Sequence, residues 1–230
     1  DLHSFPTRRS SDLFIPIAIK IQLLTHILFQ TMDGWSEVLR IPSSVFATDN
    51  YNNPTKIANI TSLQFDSVQN FIWCGDSRGY TRSFTGSFAT NSLYGNLQLY
   101  PYTKFHTSDV NYNNPIKQIL SHREGILSLL NNAISFNSRR GLSKLQVTSK
   151  TFNNNATTEN KFNNLQAMTF NCNSFNDVVV GTDTSMMKFD LNKPNVLSSF
   201  DHQGGISLLN NLGKFLTIAN SNGSLDIFDP

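Results

Sequence analysis

ITSLQFDSVQNFIWCGDSRGYTRSF, from Ile60 to Phe84, carries the fold in miniature. Ile60 to Phe65 reads as a strand, and Asp66 to Asn70 is a polar turn. The next strand is buried and ends at Cys74. DSRG, ending at Gly79, is a tight turn, and a third strand runs to Phe84. Apolar runs this short, bounded by turn residues, are strands rather than helices. Gly79 supplies the positive φ that a short connection between antiparallel strands requires.

Working outward, the same order of strand, strand, polar turn and strand returns three times. The copies are GILSLLNNAISFNSRRGLSKLQV (Gly125 to Val147), LQAMTFNCNSFNDVVVGTDTSMMKFD (Leu165 to Asp190) and GGISLLNNLGKFLTIANSNGSLDIFD (Gly204 to Asp229). Their turns, ending at Gly141, Ser185 and Gly223, align with Gly79 at spacings of 62, 44 and 38 residues. The last two approach the ~40–45 residues of a four-stranded propeller blade. The first is long because Thr85 to Ile119 carries an inserted loop and a strand predicted at Leu97 to His106. Asn-rich stretches at 50–54, 111–114, 153–164 and 171–176 read as loops, since Asn tolerates left-handed backbone. Phe189-Asp190 and Phe228-Asp229 stand where the repeat closes on Trp-Asp. The fold class is therefore all-β, a partial WD-repeat β-propeller of about four blades. Each small sheet is apolar on both faces and is stable only between neighbours.

Composition narrows the function. Of the 230 residues, 39% are hydrophobic, enough for a sizeable core, and only 15% are charged. Eighteen Lys and Arg against sixteen Asp and Glu leave +2, far short of the excess that drives nucleic-acid binding by counterion release. Glu37, Glu124 and Glu159 are the only glutamates, so glutamate-cluster chemistry has little to work with. Cys74 and Cys172 lie in apolar stretches as small buried hydrophobes, which fits a reduced cytosolic compartment. Sequons at Asn59, Asn155 and Asn222 are expected by chance among 28 asparagines. DLHSFPTRRSSDL, residues 1–13, resembles a translated adaptor scar, and the apolar run Phe14 to Phe29 is too short to cross a bilayer comfortably. No small-x-small cleavage site follows it. Residues 1–31 are accordingly expected to be an extension outside the fold, with the native start at Met32 and the propeller over 32–230.

Sites of chemistry are sought by spacing. No Asp-x-Glu pair, HExxH, paired CxxC, GxGxxG or Walker lysine loop occurs. No catalytic, cofactor-binding or metal-ligating residue is assigned. His106, His122 and His202 read as structural histidines tying loops to sheets, and Asp76, Asp183 and Asp226 as carboxylates holding hairpins. Phe71, Phe136, Phe189, Phe215 and Phe228 recur in register and read as core. Arg139 and Arg140, adjacent at one hairpin tip, and Tyr94, Tyr100 and Tyr102, in or near the inserted segment, are the candidate partner-binding residues. A solvated turn is the simpler role for the two arginines.

SHREGILSL (Ser121 to Leu129), NSRRGLSKLQVTS (Asn137 to Ser149), IWCGDSRGY (Ile72 to Tyr80) and LDIFDP (Leu225 to Pro230) together carry a family resemblance. Over Met32 to Pro230 the chain resembles the amino-terminal WD-repeat domain of the fungal PAB-dependent poly(A)-specific ribonucleases. These are catalytic subunits of the poly(A)-nuclease deadenylation complex. The resemblance implies a propeller of seven blades, of which this chain holds the amino-terminal four or so. Its last blade would expose an unpaired face, predicting poor solubility. It also implies a non-catalytic interaction platform within an enzyme that shortens mRNA poly(A) tails by 3′ to 5′ hydrolysis. The catalytic domain, with its divalent magnesium, would lie elsewhere, and no cofactor belongs to this part. Implied partners are a regulatory pseudokinase-like subunit and poly(A)-binding protein on poly(A) RNA, with no membrane. The implied location is the cytoplasm, including P-bodies. A generic WD-repeat scaffold in ubiquitin, trafficking or signalling assemblies is the alternative.

Overall fold

The computed structural model describes residues 25–31, 34–41, 58–88, 97–107, 114–148, 164–193 and 196–229. All regular structure among them is β. β1 (Thr25–Thr31) and β2 (Gly34–Ile41) pair antiparallel.

Four further antiparallel sheets follow in chain order. The first comprises β3 (Ile60–Phe65), β4 (Phe71–Asp76), β5 (Tyr80–Phe88) and β6 (Leu97–His106). The second holds β7 (Gln118–His122), β8 (Gly125–Leu129), β9 (Ala133–Asn137) and β10 (Ser143–Thr148). The third is built from β11 (Ala167–Asn171), β12 (Ser174–Gly181), β13 (Ser185–Asp190) and β14 (Val196–Asp201). The fourth has three described strands, β15 (Ile206–Leu212), β16 (Phe215–Asn220) and β17 (Leu225–Phe228). Each is an up-and-down meander, and the first strands β3, β7, β11 and β15 neighbour one another in that order. Meanders joined through their innermost strands fan about an axis, as blades do.

Interleaved cores hold the blades together. Between the first and second lie Trp73, Ile116, Ile119 and Ile126, with Phe71 and Phe105 packed against them. Leu127, Phe136 and Val147 meet Met168, Val178, Val180 and Phe189 between the second and third. Ala167, Val179 and Met186 meet Ile206, Leu209, Leu216 and Ile218 between the third and fourth. Because side chains alternate along a strand, β12 serves two of these cores, Val178 and Val180 on one face and Val179 on the other.

One feature of the repeat differs from the sequence reading. Gly79 and Gly223 close the turns between the second and third strands of their blades, with φ of 85° and 88°. Gly141, with φ of 86°, lies instead between the third and fourth strands, β9 and β10. The equivalent of the Gly79 turn in the second blade is 130–132, which has no glycine and is closed by the Leu130 amide donating to the Ala133 carbonyl at 2.8 Å. The copy taken to begin at Gly125 therefore starts one strand late, because β7 is the innermost strand of that blade. This slip accounts for part of the 62-residue spacing. β6, by contrast, spans the predicted Leu97 to His106.

Candidate interaction surface

Asp66, in the β3–β4 turn, gathers several hydrogen bonds between the first two blades. Its carboxylate receives Arg139 Nε on Oδ2 and Arg139 Nη2 on Oδ1, both at 2.8 Å, and Trp73 Nε1 on Oδ2 at 2.9 Å. Ser121 Oγ and the amides of Val68 and Gln69 complete the set. Burial alone would raise this carboxyl, but the hydrogen bonds, that from Arg139 first, hold it well below the ordinary carboxylate range. Arg139 also donates to the His122 and Arg123 carbonyls, at 2.8 and 2.9 Å. This guanidinium clamps two hairpins of its own blade to a turn of the preceding one, a structural task that a solvated turn does not require.

The other candidates divide. Arg140 is exposed at the same hairpin tip. Tyr100 and Tyr102 stand out from β6, 49% and 53% exposed. Tyr94 lies outside the described residues. A run of contacts leads from Tyr102 toward the arginine tip: Tyr102 stacks on Phe71 with centroids 4.6 Å apart, and Phe71 meets the Trp73 ring edge-on at 6.1 Å. Trp73 donates to Asp66, and Asp66 pairs with Arg139. Gly141, next to Arg140, lies against Phe105 of β6 so closely that a Cβ there would sit 2.8 Å from the ring. The tyrosine strand of one blade and the arginine tip of the next thus face one inter-blade region. Asp66 escaped the sequence reading because its partner is 73 residues distant.

The histidines and aspartates hold turns. His106 Nε2 lies 3.0 Å from the Arg78 carbonyl in the β4–β5 turn, and His202 Nε2 lies 2.7 Å from Asn220 Oδ1. His122 is buried against Phe136 and Phe170, and its Nδ1 accepts the Glu124 amide at 3.2 Å. Burial is the first cause holding its ring below the ordinary histidine range. Asp76 accepts the amides of Arg78 and Tyr80, Asp183 accepts Gln166 Nε2, and Asp226 accepts Asn220 Nδ2. The Cys74 thiol is pushed up to about 12, by burial first, so it stays protonated and inert. Cys172 is half-buried. Phe136 and Phe189 are core, Phe71 and Phe215 are partly buried, and Phe228 is 39% exposed. Among the described residues no His, Cys, Asp or Glu trio could hold a metal ion, and no helix is long and apolar enough to cross a membrane.

Blades of this construction, with an aromatic-Asp close at Phe189-Asp190, define a WD-repeat propeller segment. The chain is similar in structure to the WD40 domain of Pan2 from Neurospora crassa, with TM-score 0.60 and 20% identity over 75% of this chain and 47% of that one. It is also similar to the computationally designed protein Ika4, with TM-score 0.52 and 14% identity over 76% of this chain and 92% of that one. No family profile matches. In sequence it is 98% identical over 199 residues to the PAN2-PAN3 deadenylation complex catalytic subunit PAN2 of Candida albicans, covering 86% of this chain and 17% of the relative. The subunit of the same name from Scheffersomyces stipitis is 51% identical over 206 residues, again 86% of this chain and 17% of the relative. The chain belongs to the PAN2 family as a WD-repeat segment, and spans about 17% of the length of these relatives.

Proposed function

We propose that this segment is a non-catalytic interaction platform of a deadenylase that shortens mRNA poly(A) tails by 3′ to 5′ hydrolysis. The observation that carries it is the 98% identity over 199 residues to a protein named as the catalytic subunit of a deadenylation complex. The bond-breaking chemistry and its magnesium belong to another part of the protein, and the propeller acts by shape and contact. Its partners are the second subunit of the complex, pseudokinase-like and regulatory, and poly(A)-binding protein on the tail, in the cytoplasm and P-bodies. Arg140, Tyr100 and Tyr102 are the residues offered to them, with Tyr94 as a further candidate. Arg139 supports that surface through Asp66.

The test uses the full-length protein with its second subunit, with and without the propeller. Removal is expected to slow shortening of tails coated with poly(A)-binding protein while leaving bare poly(A) turnover unchanged. Equal rates on coated tails would sink the platform reading. A generic scaffold is separated by the reading frame beyond Pro230: further blades followed by an Asp-x-Glu exonuclease motif argue against it.

A further inference from the structure

We propose that Tyr102 is a stacking platform for a base of single-stranded RNA, with exposed Arg140 on the neighbouring hairpin tip receiving its phosphate. This rests on the platform reading for its biological setting and deepens it to direct RNA contact.

Three features of β6 point there. Tyr102 is the extra residue of a β-bulge: Ser83 pairs with Thr103 and Phe84 with Pro101, leaving Tyr102 without a cross-strand partner. Bulges re-aim side chains and are conserved as designed features. The ring so aimed is held flat, stacked on Phe71 at 4.6 Å and 26°, with Phe71 packed against the inter-blade core. Tyr102 is nevertheless 53% exposed, so a pre-ordered aromatic face remains open to solvent. Fixing the ring during folding removes an ordering cost from binding. Lastly, β6 is the outermost strand of its sheet, and Pro101 within it has no N–H to donate, which disfavours addition of a peptide strand along this edge.

Charge complements the ring. The adjoining tips of the second blade carry Arg123, Arg139, Arg140 and Lys144 against Asp66 and Glu124. Both carboxylates are engaged, Asp66 by Arg139 at 2.8 Å and Glu124 by Lys144 at 3.2 Å and Arg123 at 3.7 Å. The local balance favours an anion. An acidic peptide would use these cations but has no need of a flat, pre-stacked ring, whereas a nucleotide uses both. With few phosphates neutralised, affinity should depend weakly on salt, consistent with a formal net charge of only +2.

The experiment is fluorescence anisotropy of the 230-residue chain with labelled oligo(A), oligo(U) and poly-glutamate, plus ultraviolet cross-linking read by mass spectrometry. Oligo(A) should bind better than oligo(U), since adenine stacks more strongly. Tyr102→Ala should weaken it about tenfold or more, and Tyr102→Phe should retain it. Arg140→Glu, on an exposed turn, should weaken binding and reduce the salt slope by about 0.7. A cross-link at Tyr102 supports stacking even if the alanine variant misfolds. No oligo(A) binding by the parent, cross-links confined to other residues, or unchanged affinity in a folded Tyr102→Ala chain overturns the proposal. So does poly-glutamate binding that depends on Arg140 but not on Tyr102, which assigns the patch to an acidic protein. None of these outcomes touches the coated-tail assay, so the two readings fail separately.

Discussion

Asp66 and Arg139 show how much one pair can decide. Their side chains are 0% and 12% exposed, and removing one partner strands the other charge away from water. Asp66→Ala should therefore cost about 3–5 kcal/mol, measured by urea denaturation. The carboxyl is held below its unfolded value, so its contribution is complete above about pH 3.9 and is lost as the pH falls further. His122 acts earlier. Its folded value is depressed by burial, so the neutral ring stabilises above about pH 6.5 and progressively less below. His122→Gln should flatten the stability profile just below about pH 6.5 while leaving the Asp66 phase in place. Gly141 and Gly223 separate two effects of an added methyl. Both have φ near 87°, but a Cβ at Gly141 meets Phe105 whereas one at Gly223 meets nothing within 4 Å. Gly141→Ala should cost about 1–3 kcal/mol more than Gly223→Ala, which carries backbone strain alone.

At the level of elements, β15–β17 show what a blade looks like with one neighbour. Leu209 pairs with Ile218, and both are buried against the third blade. The alternate residues form the opposite face: Leu208, Ala219 and Leu225 lie in one cross-strand row, Thr217 and Ile227 in the next. Leu208, Leu225 and Ile227 are 55%, 65% and 59% exposed. Leu225→Lys with Ile227→Lys should reduce self-association of the chain in light scattering while leaving its circular dichroism unchanged. Strand existence was legible because short apolar runs and turn residues are local properties, and β6 falls where it was expected. Blade phase was not. NSRRG resembles DSRG as a turn, yet a glycine turn can close either the second hairpin of a blade or the third, and only pairing distinguishes them.

Across the whole molecule, stability should follow coverage. β8 and β9, buried along their length between two neighbouring blades, should show the slowest amide exchange, and β15–β17, covered on one face, the fastest of the four blades. Uniform exchange across the blades would contradict stacking as the source of order. Exposed Tyr102 and Arg140 belong to this scale too, since neither blade alone brings an aromatic strand and a basic tip together. Sequence by itself determined the all-β class and a repeat of about four blades, because alternation and turn chemistry are written within a few residues of one another. Tertiary structure alone decided that Asp66 and Arg139 would meet, that Gly141 would lie on Phe105, and which of the two arginines stays exposed. Those outcomes depend on how neighbouring sheets are seated, which brings together residues far apart in the chain and leaves no local signal.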